Sequence, residues 1–266
     1  MAKIAASDSN QPYPRQNYTV YPSLHPVTIF CDFDGPIVDV SDRYYNTYKL
    51  GLADVQAACH AQGSLPSLHI LSKEQFWQMK QERTPDLEIA LRSGLRGWQI
   101  ELFLQRVSQI VNHSNLLYQD QLQPKVRWAL NLLHDRGIRL VLVTLRRQTQ
   151  AVQILRNFGL AHLFAQIRGT QDDEAAYLNH AHHKTQLLAD VMTEYAWGDT
   201  LHSPFAWMVG DTEADILAGQ AMGIPTIALT CGIRSQSYLQ RFEPTQIYPD
   251  LFSAAHDLVE SKQLAA

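Results

Sequence analysis

Five short runs dense in β-branched and apolar residues punctuate the chain: VTIFCDF (27–33), IRLVLVT (138–144), FAQIRG (164–169), FAWMVGD (205–211) and PTIALT (225–230). Their near-continuous apolarity suits strands buried on both faces rather than the alternation of a half-exposed sheet. Between the later runs lie segments with helical periodicity and helical punctuation. PKVRWALNLLHDRG (124–137) opens on proline and closes on glycine; TEADILAGQAMG (212–223) opens on a capping threonine and also closes on glycine. Strand, helix and strand joined by right-handed crossovers predict an α/β fold with a doubly wound, Rossmann-like parallel sheet.

From about residue 41 to 120 the alternation stops. Helical patterns alone fill the interval: SDRYYNTYKLGLADVQAACH, SKEQFWQMKQER, DLEIALRSG and WQIELFLQRVSQIV. The chain therefore reads in three parts: a flexible arm over 1–26, an α/β core over 27–40 and 121–266, and a small helical cap over 41–120, set over the strand ends as a lid. Phe76 and Trp77 read as the cap's own core. The arm is polar and proline-rich and lacks the apolar centre of a signal peptide. No apolar run approaches the roughly 18 residues needed to span a bilayer.

Three cysteines, Cys31, Cys59 and Cys231, lie far apart without metal-type spacing, which fits a reducing cytoplasm better than a disulfide scaffold. A net charge of −4 and a pI near 6.2 provide no electrostatic footprint for nucleic acid or for an anionic membrane. A monomer or homodimer is expected, and any anionic ligand has to be captured locally.

In open parallel sheets, ligands gather at the carboxyl ends of the strands. That rule selects Asp32 and Asp34 after the first run, Thr144 at the end of the second, and Asp211 after the fourth. In chain order, DFDGPIVD (32–39), Thr144, Lys184 in HHKTQLL and GDTEAD (210–215) form four signals. They resemble the motifs of the haloacid dehalogenase (HAD) superfamily of phosphohydrolases: a DxD strand end, a Ser/Thr strand end, a lysine and a GDxxxD strand end. The resemblance covers roughly residues 27 to 255. The insert between the first two motifs is similar to the α-helical cap of the phosphoglycolate phosphatase and β-phosphoglucomutase branch.

The resemblance implies a Mg²⁺-dependent phosphatase, a phosphoric monoester hydrolase that acts on a small phosphorylated metabolite through an aspartyl-phosphate. It assigns the nucleophile to Asp32, with a hard divalent cation needed between a carboxylate and a phosphate dianion. The implied metal site comprises the Asp32 side chain, the Asp34 backbone carbonyl and Asp211, with Asp215 orienting the shell. Asp34 would protonate the leaving oxygen and then deprotonate water, its pKa raised by clustered carboxylates and partial desolvation. This second acid favours phosphoryl transfer over carbon–halogen cleavage. Thr144 and the backbone N–H of Leu145 would hold phosphoryl oxygens, and Lys184 would offset charge. The same motifs would serve a phosphotransferase of the β-phosphoglucomutase type, or a non-catalytic binding protein that kept the fold.

Several positions depart from the family pattern. Pro36 stands where threonine is usual, removing an N–H and a hydroxyl, although a turn of helical-type φ remains open to it. Asp39 reads as a turn or helix-entry residue. Arg146 and Arg147 follow Leu145 in place of smaller residues, and one of them reads as a fork for a second anionic group. Lys80 and Arg83, three apart and expected on one helical face, are the cap's candidate substrate contacts; Arg92 and Arg96 read as a solvated face. HAHH (180–183) reads as a surface tract rather than a metal site.

Overall fold

The computed structural model describes residues 27–64, 67–194 and 206–260, and the arm expected over 1–26 lies outside them. The first part of the chain contains β1 (Thr28–Cys31), β2 (Val38–Asp39), α1 (Ser41–Ala61), α2 (Lys73–Gln81), α3 (Asp86–Arg92), α4 (Trp98–Ile110) and α5 (Ser114–Leu117). It continues through β3 (Gln121–Leu122), α6 (Val126–Asp135), β4 (Arg139–Arg147), α7 (Gln148–Asn157), β5 (Gln166–Thr170), α8 (Ala175–Leu178) and α9 (Ala181–Glu194). The last part comprises β6 (Ala206–Gly210), α10 (Glu213–Ala221), β7 (Thr226–Leu229), α11 (Gln236–Gln240), β8 (Gln246–Tyr248) and α12 (Leu251–Glu260).

Six strands form one parallel sheet in the order β5-β4-β1-β6-β7-β8. The chain builds outward from β1 through β4 to β5, then returns to lay β6, β7 and β8 on the other side of β1. The order reverses beside β1, and this is where such sheets open a crevice for ligands.

Strand pleating explains the unbroken apolar runs. Ile29, Cys31, Leu140, Leu142, Trp207 and Val209 face one layer with Leu130 and Leu133 of α6 and Ala255 and Leu258 of α12. Their neighbours Phe30, Val141, Val143, Ala206 and Met208 face the opposite layer with Leu188 and Val191 of α9 and Ala218 of α10. Successive residues point to opposite faces, and both faces are covered, so each position must be apolar. Each Val, Leu, Ile, Phe or Met among them contributes roughly 1.5–3 kcal/mol on burial. The edge strand β8 was not visible as an apolar run, because its three residues are only half-buried.

Helices α1 to α5 lie between β2 and β3, which pair antiparallel through Val38 with Leu122 and Asp39 with Gln121. This two-stranded tie brings the exit and return of the helical segment to one place. Asp39 Oδ1 accepts a 2.8 Å bond from the Ser41 N–H at the start of α1, giving it the helix-entry role. Within the helical segment, Tyr48 stacks on Phe76 at 5.0 Å and meets Phe103 edge-on at 6.1 Å. Phe76 is buried and Trp77 half-buried against the same cluster. Among the described residues no helix is long and apolar enough to cross a membrane.

Candidate active site

The carboxyl ends of β1, β4 and β6 converge on a buried charge cluster. Asp32 follows β1 directly, its backbone N–H bound to the Val209 carbonyl of β6 at 2.9 Å. Lys184, from the first turn of α9, is buried beneath it. The ammonium has three protons and three acceptors: Asp32 Oδ1 at 2.7 Å, Asp215 Oδ1 at 2.8 Å and the Val143 carbonyl at 3.0 Å. Burial opposes its charge, but Asp215 and Asp32 together outweigh that and hold it above the usual lysine range. Asp32 itself is pushed up to about 7 by burial, with Lys184 pulling it down and Asp215 adding to the rise.

Asp211 and Asp215 bracket the start of α10. Asp215 has both oxygens in use, Oδ1 on Lys184 and Oδ2 accepting from the Thr212 N–H at 3.1 Å and hydroxyl at 2.8 Å. Asp211 does not: Oδ2 accepts from the Ile233 N–H at 2.6 Å, while Oδ1 is buried with no hydrogen-bond partner. Burial pushes its pKa well up, and Asp32 and Asp215 add to the rise. A Cβ on Gly35, whose φ is +97°, or on Gly232 would collide with this carboxylate, so two glycines make room for it. Oxygens of Asp32, Asp211 and Asp215 lie within 4.8 Å of one another. Three carboxylates against one ammonium, with an orphaned buried oxygen, fit a hard divalent cation held by oxygen ligands.

Asp34 stands in a different network, and here the sequence expectation is corrected. Its Oδ1 meets Arg146 Nη2 at 2.7 Å, and its Oδ2 meets Arg43 Nη2 at 3.1 Å. Asp120 closes the ring, with Oδ1 to Arg43 Nε at 2.8 Å and Oδ2 to Arg146 Nη2 at 2.7 Å. Burial would raise the Asp34 pKa, but Arg146 and Arg43 more than offset it and hold the carboxyl below its usual range. The expectation of a raised pKa failed because both arginines come from α1 and β4 and are invisible in the motif itself.

Thr144 is buried beside this ring, and its Oγ1 accepts from the Arg146 N–H at 3.1 Å, leaving its proton for another acceptor. The β4–β5 register breaks between Val143 and Arg147, across Thr144, Leu145 and Arg146. Such irregularities re-aim side chains at strand ends, and all three residues line the cleft above Asp32. Arg147 points away and pairs with Asp173 at 2.7 Å on the surface.

The end of α2 and the α2–α3 connection also line the cleft. Lys80 and Arg83 both line it, but not as neighbours on one helical face: α2 stops at Gln81, and Arg83 has a left-handed φ of 59°. Lys80 pairs with Asp86 at 2.9 Å and lies 5.0 Å from the Tyr177 ring centre; burial pulls its pKa down. Arg83 pairs with Glu213 at 3.0 Å, and the same Glu213 binds Arg234 at 2.9 Å. Arg92 bonds Glu88 on the surface, and Arg96 caps carbonyls of Leu91 and Leu95, so neither reaches the cleft. His180, His182 and His183 are exposed with rings 4.0–5.8 Å apart, and the group of metal-ligand atoms among the described residues is the aspartate trio.

Pro36 leaves the turn intact. The Phe33 carbonyl accepts from the N–H groups of Ile37 and Val38, both at 3.1 Å, and Gly35 donates to Val38 at 2.8 Å, so no bond needs the missing N–H.

Sequence reasoning missed Arg43, Asp120, Tyr177 and Arg234. Arg234 had a signal: it follows the PTIALT strand by four residues and obeys the strand-end rule. Arg43 and Asp120 had none, since a polar residue at a helix start or before a short strand reads as solvated.

A parallel sheet with acids at two strand ends, a threonine at a third and a buried lysine among them defines the fold and site of a known family. The chain belongs to it: residues 29–229 match the haloacid dehalogenase-like hydrolase family. Among individual proteins, it is 27% identical over 151 residues to a phosphoglycolate phosphatase of Haemophilus influenzae, covering 54% of this chain and 63% of that one. It is 30% identical over 126 residues to the pyrophosphatase PpaX of Halalkalibacterium halodurans, covering 46% and 54%. The chain thus spans between half and two thirds of these relatives' length. A haloacid dehalogenase-like hydrolase family structure from Streptococcus pneumoniae shares the fold at a TM-score of 0.63 and 23% identity, over 88% of this chain and 98% of that one.

Proposed function

We propose that the protein is a Mg²⁺-dependent phosphatase that hydrolyses small phosphate monoesters through an aspartyl-phosphate on Asp32. The observation that carries this reading is the convergence of Asp32, Lys184, Thr144 and Asp211 at the strand ends, with Asp211 Oδ1 left unpartnered. The relatives' names, a phosphoglycolate phosphatase and a pyrophosphatase, support phosphoryl chemistry.

In this reading an Asp32 carboxylate oxygen attacks phosphorus, the ester bond breaks, and water then opens the aspartyl-phosphate to return Asp32 and release phosphate. Lys184, fixed by three acceptors, keeps Asp32 oriented and offsets charge as the phosphoryl group arrives. Thr144 donates its free proton, and the Leu145 N–H its own, to phosphoryl oxygens. Asp34 gives a proton to the leaving oxygen and takes one back from the attacking water, and Arg43 and Arg146 favour the carboxylate form that does the second step. Asp32, Asp211 and the Asp34 carbonyl would hold Mg²⁺, with Asp215 fixing Lys184 and Thr212 around them; when bound, the ion screens the carboxylate–phosphate repulsion. The helical segment from residue 41 to 120 acts as the cap that shuts out bulk water.

Turnover of p-nitrophenyl phosphate with Mg²⁺ tests the reading. Asp32→Asn is expected to lower kcat by on the order of 10⁴-fold while the protein stays folded by circular dichroism. Retained turnover in that variant would sink the mechanism.

A further inference from the structure

The tyrosines of α1 and α8 differ in one respect. Tyr45 donates to the Leu71 carbonyl at 2.9 Å, Tyr48 pairs with Ser93 Oγ at 2.8 Å, and Tyr177 donates to Asp86 Oδ2 at 2.6 Å. Tyr44, near the start of α1, is 6% exposed, and its hydroxyl has no hydrogen-bond partner among the described residues. Its ring meets Trp77 edge-on at 6.4 Å and lies 5.8 Å from the Tyr177 ring, contacts that a phenylalanine would make equally. Buried polar groups are almost always satisfied, so a phenol kept here without a partner calls for one that arrives with a ligand.

Position and charge identify that partner. Tyr44 lines the cleft. Burial pushes its pKa up to about 12, so the hydroxyl is neutral, and the charges that then bear on it are those of Arg43, Asp34, Arg146 and Arg234, the last three on cleft-lining residues. Asp34, assigned to the leaving oxygen, is thus the acid that acts on it most strongly, whereas the phosphoryl donors Thr144 and Leu145 belong to the end of β4. The hydroxyl therefore borders the leaving group rather than the phosphoryl oxygens. Lys80, Arg83, Arg146, Lys184 and Arg234 each already hold a carboxylate, so the cleft has no cation to spare for a second anion. A phenol both donates and accepts, which suits the hydroxyl of an alcohol.

We propose that Tyr44 selects substrates by hydrogen-bonding an uncharged oxygen, a free hydroxyl on the leaving alcohol. The proposal rests on the phosphatase reading above and narrows it to monoesters whose alcohol carries a further hydroxyl. Alkyl phosphates without one are then poor substrates, because they leave the phenol buried and unpaired.

The test compares glycerol 1-phosphate with propyl phosphate, the same carbon chain without its free hydroxyls, in the presence of Mg²⁺. In the wild-type protein kcat/KM is expected to favour the first by about tenfold or more. Tyr44→Phe keeps the ring and loses only the hydroxyl, so the ratio of the two kcat/KM values should fall to near one, whatever happens to the absolute rates. Its urea midpoint should stay where it was, because no hydrogen bond of the folded protein is lost. Tyr177→Phe, whose hydroxyl is already spent on Asp86, should keep the ratio. A wild-type ratio near one overturns the proposal, as does a ratio unchanged in Tyr44→Phe or lost equally in Tyr177→Phe. A preference for 2-phosphoglycolate over glycerol 1-phosphate that disappears in Tyr44→Phe would assign the hydroxyl to an anionic group and overturn it too. If the wild-type protein turns over none of these compounds, nor p-nitrophenyl phosphate, the phosphatase reading has failed instead.

Discussion

Two buried charge networks meet at the end of β1, and they are balanced differently. On the sheet side, Asp32, Asp211 and Asp215 surround one ammonium, that of Lys184. Toward the helical segment, Asp34 and Asp120 alternate with Arg43 and Arg146 in a closed ring of two against two. The first network is short of positive charge and has an orphaned oxygen; the second is neutral and has orphaned donors only on Arg146. Desolvating ions is expensive, so an unbalanced buried cluster marks where a cation must arrive, and a balanced one marks fixed architecture. The two networks thus differ in net charge, although Asp32 and Asp34 are only two residues apart.

The largest effect expected from breaking this arrangement is at Lys184. Lys184→Met leaves Asp32 and Asp215 buried without their cation and should lower stability by about 3–5 kcal/mol in urea denaturation. A loss under about 1 kcal/mol would mean the cluster is more hydrated than its burial indicates. The imbalance can be read directly by adding Mg²⁺. At about 100 times its Kd, the ion should stabilise the wild-type protein by about 2.7 kcal/mol, seen as a rise in Tm, and Asp211→Asn should lose most of that rise. Equal rises in both proteins would place the cation elsewhere.

The balanced ring should behave as a unit. A double-mutant cycle of Arg43→Met and Asp120→Leu is expected to show a coupling of about 1–3 kcal/mol, the double variant being less damaged than the sum of the singles. Additive effects would show that Arg43 and Asp120 are not coupled despite their 2.8 Å contact, and would break the ring as a unit. At the bottom of the scale, the exposed pair of Glu88 and Arg92 on α3 should be worth only about 0.3–0.5 kcal/mol by the same measurement. Finding it as strong as the ring would undo the argument from burial.

Much of the site was legible because its residues sit at strand ends, and strands buried on both faces announce themselves as apolar runs. Asp32, Thr144 and Asp211 were found that way, and Lys184 by its place between motifs. Arg146 was singled out as a departure, but the sequence did not separate it from Arg147, which proved to be a surface residue paired with Asp173. Lys80 and Arg83 were expected on one helical face; they reach the same cleft because the chain turns left-handed after α2 has ended. The raised pKa expected for Asp34 was wrong in sign, since proximity to other acids was visible and proximity to arginines was not.

By itself the sequence determined the sheet, the order of the motif residues along it and the family, because these follow from local apolar runs, caps and short motifs. Only the tertiary structure decided which charges neutralise which. Arg43 and Asp120 are 77 residues apart in the chain, yet they pair at 2.8 Å without solvent. No local pattern marks a polar residue for burial; its environment is set by the packing of segments distant in sequence, and that environment decides whether a carboxylate gains or loses its proton.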